Sequence, residues 1–132
     1  MITADLAESL SNKIRGEVRF DDVARMLYRT DASIYEMEPL GVVLPRDEND
    51  VVELVRWAVE QGVSILPRGG GTSLAGQSVG VSVHVDFSKY MNGIVELNAE
   101  EGWVRVQPGV VLDELNEFLK PYGFLFGPDV ST

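Results

Sequence analysis

The chain has 132 residues, 45% of them hydrophobic and 24% charged, which is the composition of one globular domain and excludes disorder along its length. Lys and Arg number 11 against 21 Asp and Glu, and the resulting charge of −10 disfavours a nucleic acid or an anionic membrane surface as partner. With no cysteine, disulfides, thiolate zinc sites and iron–sulfur ligation are excluded within this stretch.

Met1–Asp5 has neither the basic segment nor the apolar run of a secretory leader, and no apolar run approaches the ~20 residues of a membrane helix. A cytoplasmic location is expected, with peripheral membrane association left open for a full-length protein. Leu6, Leu10 and Ile14 recur at four-residue spacing, which predicts an amphipathic helix over 4–15 stopped by Gly16. Asp21 or Asp22 can cap a second short helix through Val23, Met26 and Leu27. Residues 29–38 read as a polar loop.

Gly41–Pro45 is a short apolar run closed by proline, hence a buried strand. A helix follows from Asp47 to Gln61, with Val51, Leu54, Val55, Ala58 and Val59 on one face and Gly62 as its stop. Val63–Pro67 is a second strand, so strand, helix and strand form a parallel βαβ unit with a right-handed crossover. Residues 81–86 alternate like a half-buried strand. Residues 94–97 and 103–106 do likewise and form an antiparallel hairpin about the Ala99–Gly102 turn. Val111, Leu112, Leu115, Phe118 and Leu119 predict a last helix, stopped by Pro121 and Gly123. Phe124–Phe126 reads as a strand or core segment whose partners are still to come, and a turn-like hexapeptide ends the chain, so a fragment of a longer protein is expected. The fold class is α+β: a βαβ lobe, then the beginning of a mainly antiparallel lobe, truncated. Two regions are expected, a helical segment over 1–38 and a domain portion over 39–132.

The informative segment is Arg68-Gly69-Gly70-Gly71-Thr72-Ser73-Leu74-Ala75-Gly76-Gln77. Three glycines directly after a buried strand leave few Cβ obstructions, so the backbone can turn its N–H groups inward as an anion nest, with Thr and Ser hydroxyls as further donors. A phosphate, or better a pyrophosphate, suits such a nest. The loop is not a Walker-type P-loop, since no lysine follows the glycines. It is not a dinucleotide fingerprint either, because Gly69, Gly71 and Gly76 have the wrong second interval. The plain alternative is a flexible surface turn.

In this setting the loop resembles the pyrophosphate loop of FAD-linked oxidases with a flavin domain of the vanillyl-alcohol oxidase and p-cresol methylhydroxylase (PCMH) type. Three further segments share the resemblance: Val42–Pro45 with the acidic-start helix at Asp50-Val51, Val106-Gln107-Pro108-Gly109 followed by Leu112, and Gly127-Pro128-Asp129-Val130-Ser131-Thr132. Together they cover about residues 39–132. The resemblance implies that the backbone of Arg68, Gly69, Gly70, Gly71, Thr72 and Ser73 wraps the FAD pyrophosphate. It also implies that Leu74, Gly76 and Gln77 continue along the cofactor, that Pro128, Asp129, Ser131 and Thr132 approach the flavin or its ribityl-phosphate part, and that Pro45 packs near the adenine side. Covalent members carry a histidine where Thr72 stands, so noncovalent FAD is implied. Val130 departs from the more usual proline of that turn. The loop wording and Tyr28–Ser33 are most similar to the D-2-hydroxyacid dehydrogenase branch, whose members act on glycolate, D-lactate or D-2-hydroxyglutarate. The implied activity is FAD-dependent oxidation of a D-2-hydroxy acid to a 2-oxo acid, with the substrate bound by a later domain and oligomerisation left open. The alternatives are a cofactor-incompetent fragment and a small interaction module without flavin.

No residue is nominated as catalytic and none as a metal ligand. His84, the sole histidine, reads as structural ahead of a general base. Trp57 reads as packing. Arg68 either pairs with a phosphate or closes a surface ion pair.

Overall fold

A computed structural model describes residues 2–128 of the chain. Elements follow in the order α1 (Ile2–Ser11), β1 (Glu17–Arg19), α2 (Asp22–Tyr28), β2 (Gly41–Leu44), α3 (Glu48–Gln61), β3 (Ile65–Arg68), β4 (Val83–Asp86), β5 (Ile94–Asn98), β6 (Trp103–Val106) and α4 (Leu112–Leu119), with one 3-10 turn over Lys120–Tyr122. None of these helices is long and apolar enough to cross a membrane.

Four strands form one sheet in the order β1-β2-β4-β3, and β5 and β6 form a separate antiparallel hairpin. β2 and β3 run in the same direction, as the βαβ reading expects, and a third strand lies between them. Both pair parallel to that strand, β4, with Val42 opposite His84 on one side and Leu66 opposite His84 on the other. This corrects the reading of 81–86 as a half-buried strand: all four residues of β4 are buried, because a central parallel strand is covered on both faces. β1, absent from the sequence reading, closes the other edge antiparallel to β2, with Val18 opposite Val43. Only three residues long, it carries too little pattern to be seen.

One face of the sheet holds the main core, where Val43, Val83 and Val85 meet Leu10 and Ile14 from the N-terminal segment and Leu54, Trp57 and Ala58 from α3. Val42 and Leu44 point the other way, toward Ala24 and Tyr28 of α2. Residues 1–38 therefore contribute a strand and core side chains as well as helix.

α3 is set by its ends. The Asp47 carboxylate accepts from the Asp50 amide at 3.0 Å as N-cap. Gly62 closes the helix at φ 65°, in the left-handed region glycine tolerates. The buried face of α3 is Asp50, Leu54, Trp57 and Ala58, while Val55 and Val59 are exposed, a rotation from the expected stripe. The large Trp57 side chain wins the core position. The buried Asp50 carboxylate is satisfied by the amides of Arg15 and Arg46, each at 2.9 Å.

α1 ends at Ser11, short of the expected limit, and Gly16 has a different task. A Cβ there would lie 2.3 Å from the Leu44 carbonyl oxygen, so glycine lets the chain pass close to β2. In α2 the cap is Asp21, and the buried residue is Ala24, whereas Val23, Met26 and Leu27 are exposed. Phe124–Phe126 is exposed and forms no strand among the described residues; the Phe124 amide donates to the Leu119 carbonyl and that of Phe126 to Asn116 Oδ1.

Candidate functional site

β3 delivers Arg68 at the edge of the sheet, and the chain then enters the glycine loop. Gly71 and Gly76 sit at φ 68° and 75°, positions where a side chain would be strained. Gly69 and Gly70 are not forced by their dihedrals. A Cβ on Gly69 would meet nothing within 4 Å, and one on Gly70 would make only ordinary contact with Thr72. The N–H groups of residues 69–74 donate to no acceptor among the described residues. Such a run of free donors on one loop is what an anion nest requires.

Gly69, Gly70 and Thr72 line an open groove of about 400 Å³. Pro108–Asp113 and Ser88 complete its lining. Gly109 is packed so tightly that a Cβ would lie 2.3 Å from the Phe87 carbonyl oxygen. Its own amide donates to the Met91 carbonyl at 2.8 Å, which ties this segment to the turn that follows β4. α4 begins in this segment with Val111 as N-cap and no side-chain cap, so first-turn amides of the helix remain available to an anion. Asp113 in that first turn opposes the effect with its charge.

The rest of the loop is tied to itself. The Ser73 hydroxyl donates to Gln77 Oε1 at 2.5 Å and accepts from the amides of Ala75 and Gln77, so both side chains close a turn. Leu74 is exposed. Pro128 is exposed and does not line the groove, and Asp129, Ser131 and Thr132 lie outside the described residues. The site residues brought to one groove are thus Gly69, Gly70 and Thr72. Ser88 and the 108–113 segment were not among the predicted site residues. The Pro108-Gly109 break was the signal that could have marked them.

Arg68 takes up neither an exposed ion pair nor a position in the groove wall. Its guanidinium donates to the carbonyls of Ser78 at 2.9 Å, Thr30 at 2.8 Å and Tyr28 at 3.3 Å. It also lies 5.1 Å over the Tyr28 ring. The Tyr28 hydroxyl donates to the Asp86 carboxylate. Burial first, and then the bond to Asp86, push the Tyr28 phenol up to about 12. Asp31, on the preceding loop, accepts from the Ser33 amide at 2.8 Å and the Ser78 hydroxyl at 2.9 Å. Donors on Ser33, and after them Ser78, hold its carboxyl at about 2. His84 is fully buried in the sheet with Nε2 at 3.1 Å from the Gly80 carbonyl, and burial lowers its pKa. It does not line the groove, which fits a structural residue.

The family model described as the FAD binding domain matches residues 39–132. The chain belongs to that family. Among curated relatives of this FAD-binding-domain chain, D-2-hydroxyglutarate dehydrogenase of Escherichia coli (strain K12) is 48% identical over 111 residues, covering 82% of the chain and 11% of the relative. The Pseudomonas putida protein of the same name is 44% identical over 132 residues, covering 97% and 13%. Glycolate oxidase subunit GlcD of Bacillus subtilis is 33% identical over 136 residues, covering 100% of the chain and 29% of the relative. The chain thus spans from about a tenth to three tenths of the length of these relatives. Among solved structures, an alkyldihydroxyacetonephosphate synthase superposes with a TM-score of 0.82 at 24% identity, covering 96% of this chain and 26% of that one. The 6-hydroxy-D-nicotine oxidase of Arthrobacter nicotinovorans superposes at 0.69 and 23% identity, covering 83% and 24%. These neighbours show the fold: the truncated α+β arrangement of a PCMH-type FAD-binding domain.

Proposed function

We propose that this chain holds the FAD pyrophosphate in a flavin-dependent dehydrogenase that oxidises a D-2-hydroxy acid to a 2-oxo acid. The observation that carries the reading is the row of N–H groups from Gly69 to Leu74 that find no acceptor among the described residues while Gly69 and Gly70 open onto a groove. Amides fixed in place by the fold can bind a diphosphate without gathering positive side chains, which suits a chain of charge −10. The wrapping residues are Arg68 through its backbone, Gly69, Gly70, Gly71, Thr72 and Ser73. Leu74, Gly76 and Gln77 continue along the cofactor, and Pro128, Asp129, Ser131 and Thr132 approach the flavin side. FAD supplies the hydride acceptor when bound. This chain's part is to bind and orient it, and the base and substrate cations belong to a later domain. Noncovalent attachment follows from Thr72, whose hydroxyl cannot form a histidyl–flavin bond. Support for the substrate class comes from the relatives named D-2-hydroxyglutarate dehydrogenase.

The test is a fluorescence titration of FAD into the full-length protein that carries this segment, with Gly69→Ala and Gly70→Ala beside the parent. Saturable quenching that both substitutions weaken is the expected result. A parent that leaves FAD fluorescence unchanged sinks the reading and favours a folded module without flavin.

A further inference from the structure

The glycine loop is anchored from one side only. At its start, Arg68 donates to the carbonyls of Tyr28 and Thr30, and to Ser78 at the far end of the same loop. At its bend, the Gly71 carbonyl accepts from the Ala32 amide at 3.0 Å. Near its end, Ser78 donates to Asp31 through its hydroxyl at 2.9 Å. A Cβ on Gly76 would lie 2.5 Å from the Tyr35 ring, so that ring rests on the loop backbone. Apart from the Arg68–Ser78 bond, which ties the two ends of the loop together, all of these contacts come from residues 28–35, and none of those residues lines the groove. At Gly69 a Cβ would meet nothing within 4 Å, and the amides of Gly69 and Gly70 donate to no acceptor among the described residues.

Resting on the pyrophosphate reading above, we infer that residues 28–35 form a brace that sets the glycine loop in its anion-binding shape, with Arg68 and Asp31 as its two positioning residues. Three glycines in sequence have many conformations to lose on ordering, and a loop left free would lose them when the cofactor binds. The brace removes that cost beforehand. Arg68 suits the task because a planar fork can reach several carbonyls while stacking on Tyr28, geometry a lysine ammonium cannot match. Its donors are turned to carbonyl oxygens and away from the groove, so it acts on the diphosphate through the loop.

The sign of the Asp31 effect separates this from simple electrostatics. Removing a carboxylate near a dianion strengthens binding if charge alone matters. If Asp31 positions the loop, removing it weakens binding. The experiment uses full-length protein with Arg68→Lys and Asp31→Ala, reading FAD affinity, cleavage within 69–77 by a non-specific protease in the cofactor-free state, and thermal midpoint. The expected result is about tenfold weaker FAD binding in both variants, the loss of one charge-assisted anchor, with faster cleavage confined to 69–77 and a single cooperative thermal transition retained, its midpoint lowered only by the lost anchor. Parent-like affinity in Arg68→Lys, tighter binding in Asp31→Ala and unaltered cleavage overturn the brace. If the parent itself binds no FAD, the cofactor reading fails separately. Cleavage of the loop then decides the brace by itself: faster in both variants upholds it, and unaltered in both overturns it.

Discussion

The indole N–H of Trp57 in α3 donates to the hydroxyl oxygen of Ser9 in α1 at 2.8 Å, joining two helices through residues 48 positions apart. Trp57 is fully buried and sits at the centre of the cluster that includes Leu10, Leu54 and Val83. Trp57→Ala is therefore expected to destabilise by about 3–5 kcal/mol, through lost burial and the cavity left behind. Against total stabilities of about 5–15 kcal/mol for a domain, that is a large share. Ser9→Ala removes that acceptor together with the hydroxyl's own bond to the Leu6 carbonyl at 2.9 Å, and is expected to cost about 1–2 kcal/mol. Urea unfolding midpoints check both, and equal effects would contradict the ranking.

Two glycines facing the same groove are expected to respond oppositely to alanine. At Gly109 the new methyl would lie 2.3 Å from the Phe87 carbonyl oxygen and 2.9 Å from that of Met91. Backbone must shift, so stability is expected to fall by about 1–3 kcal/mol. At Gly69 the methyl meets nothing within 4 Å and φ is not in the left-handed region. Folding is expected to be unaffected there, while FAD affinity falls because the methyl occupies the groove. Thermal midpoints and FAD titration of the two variants separate these effects.

How much of this was readable in the chain depends on the length of the signal. α3 has a capping aspartate, an apolar stripe and a terminal glycine, and its limits emerge almost as read. The glycine loop is a local feature and stands out for the same reason. What local pattern cannot carry is who sits beside whom. β4 reads as a half-buried strand because Ser82, His84 and Asp86 alternate with valines. In the fold those polar residues are buried, His84 against the Gly80 carbonyl and Asp86 against Tyr28 and Ser88. Their partners come from a loop and from α2, contacts that only the tertiary arrangement supplies. Arg68 shows the same limit. Beside a phosphate loop a lone cation suggests a phosphate partner, yet its donors go to carbonyls from residues 40 and 38 positions earlier.

The Tyr28–Asp86 bond predicts an alkaline signature. Tyr28 is neutral when protonated, and in the fold it keeps its proton up to about 12, against 10.0 in the unfolded chain. The stability this contributes is present below pH 10.0 and is lost as pH rises through about 12. Absorbance in the phenolate band is expected to show one late step that Tyr28→Phe removes. The substitution also withdraws a donor from the buried Asp86 carboxylate, leaving the Ser88 amide at 2.8 Å, and is expected to cost about 2 kcal/mol at neutral pH. A tyrosine titration in the parent that is complete well below 12 contradicts the assignment.

Acid gives the opposite sign. Asp31 is held at about 2 by donors on Ser33 and Ser78. Asp21 is held at about 2 by Arg19 and then by the Ala24 amide. Both start from a reference of 3.8, so the stability they contribute is present above that value and is lost as pH falls toward 2. Asp21→Asn and Asp31→Asn are each expected to flatten the acid limb of a stability–pH curve. The two are then distinguished by FAD: only Asp31→Asn is expected to weaken cofactor binding, since Asp21 caps α2 and touches nothing in the glycine loop.

Thr72 bears on how the flavin is kept. It lines the groove beside Gly69 and Gly70. A threonine hydroxyl has no nucleophilic ring nitrogen, and the only histidine of the chain is buried at position 84, bonded to Gly80. Within residues 39–132, then, no histidyl linkage to a flavin in this groove is available. Precipitating the full-length holoprotein with acid is expected to release all of the yellow colour into the supernatant, with FAD recovered intact. Flavin fluorescence that stays with the washed pellet contradicts noncovalent attachment.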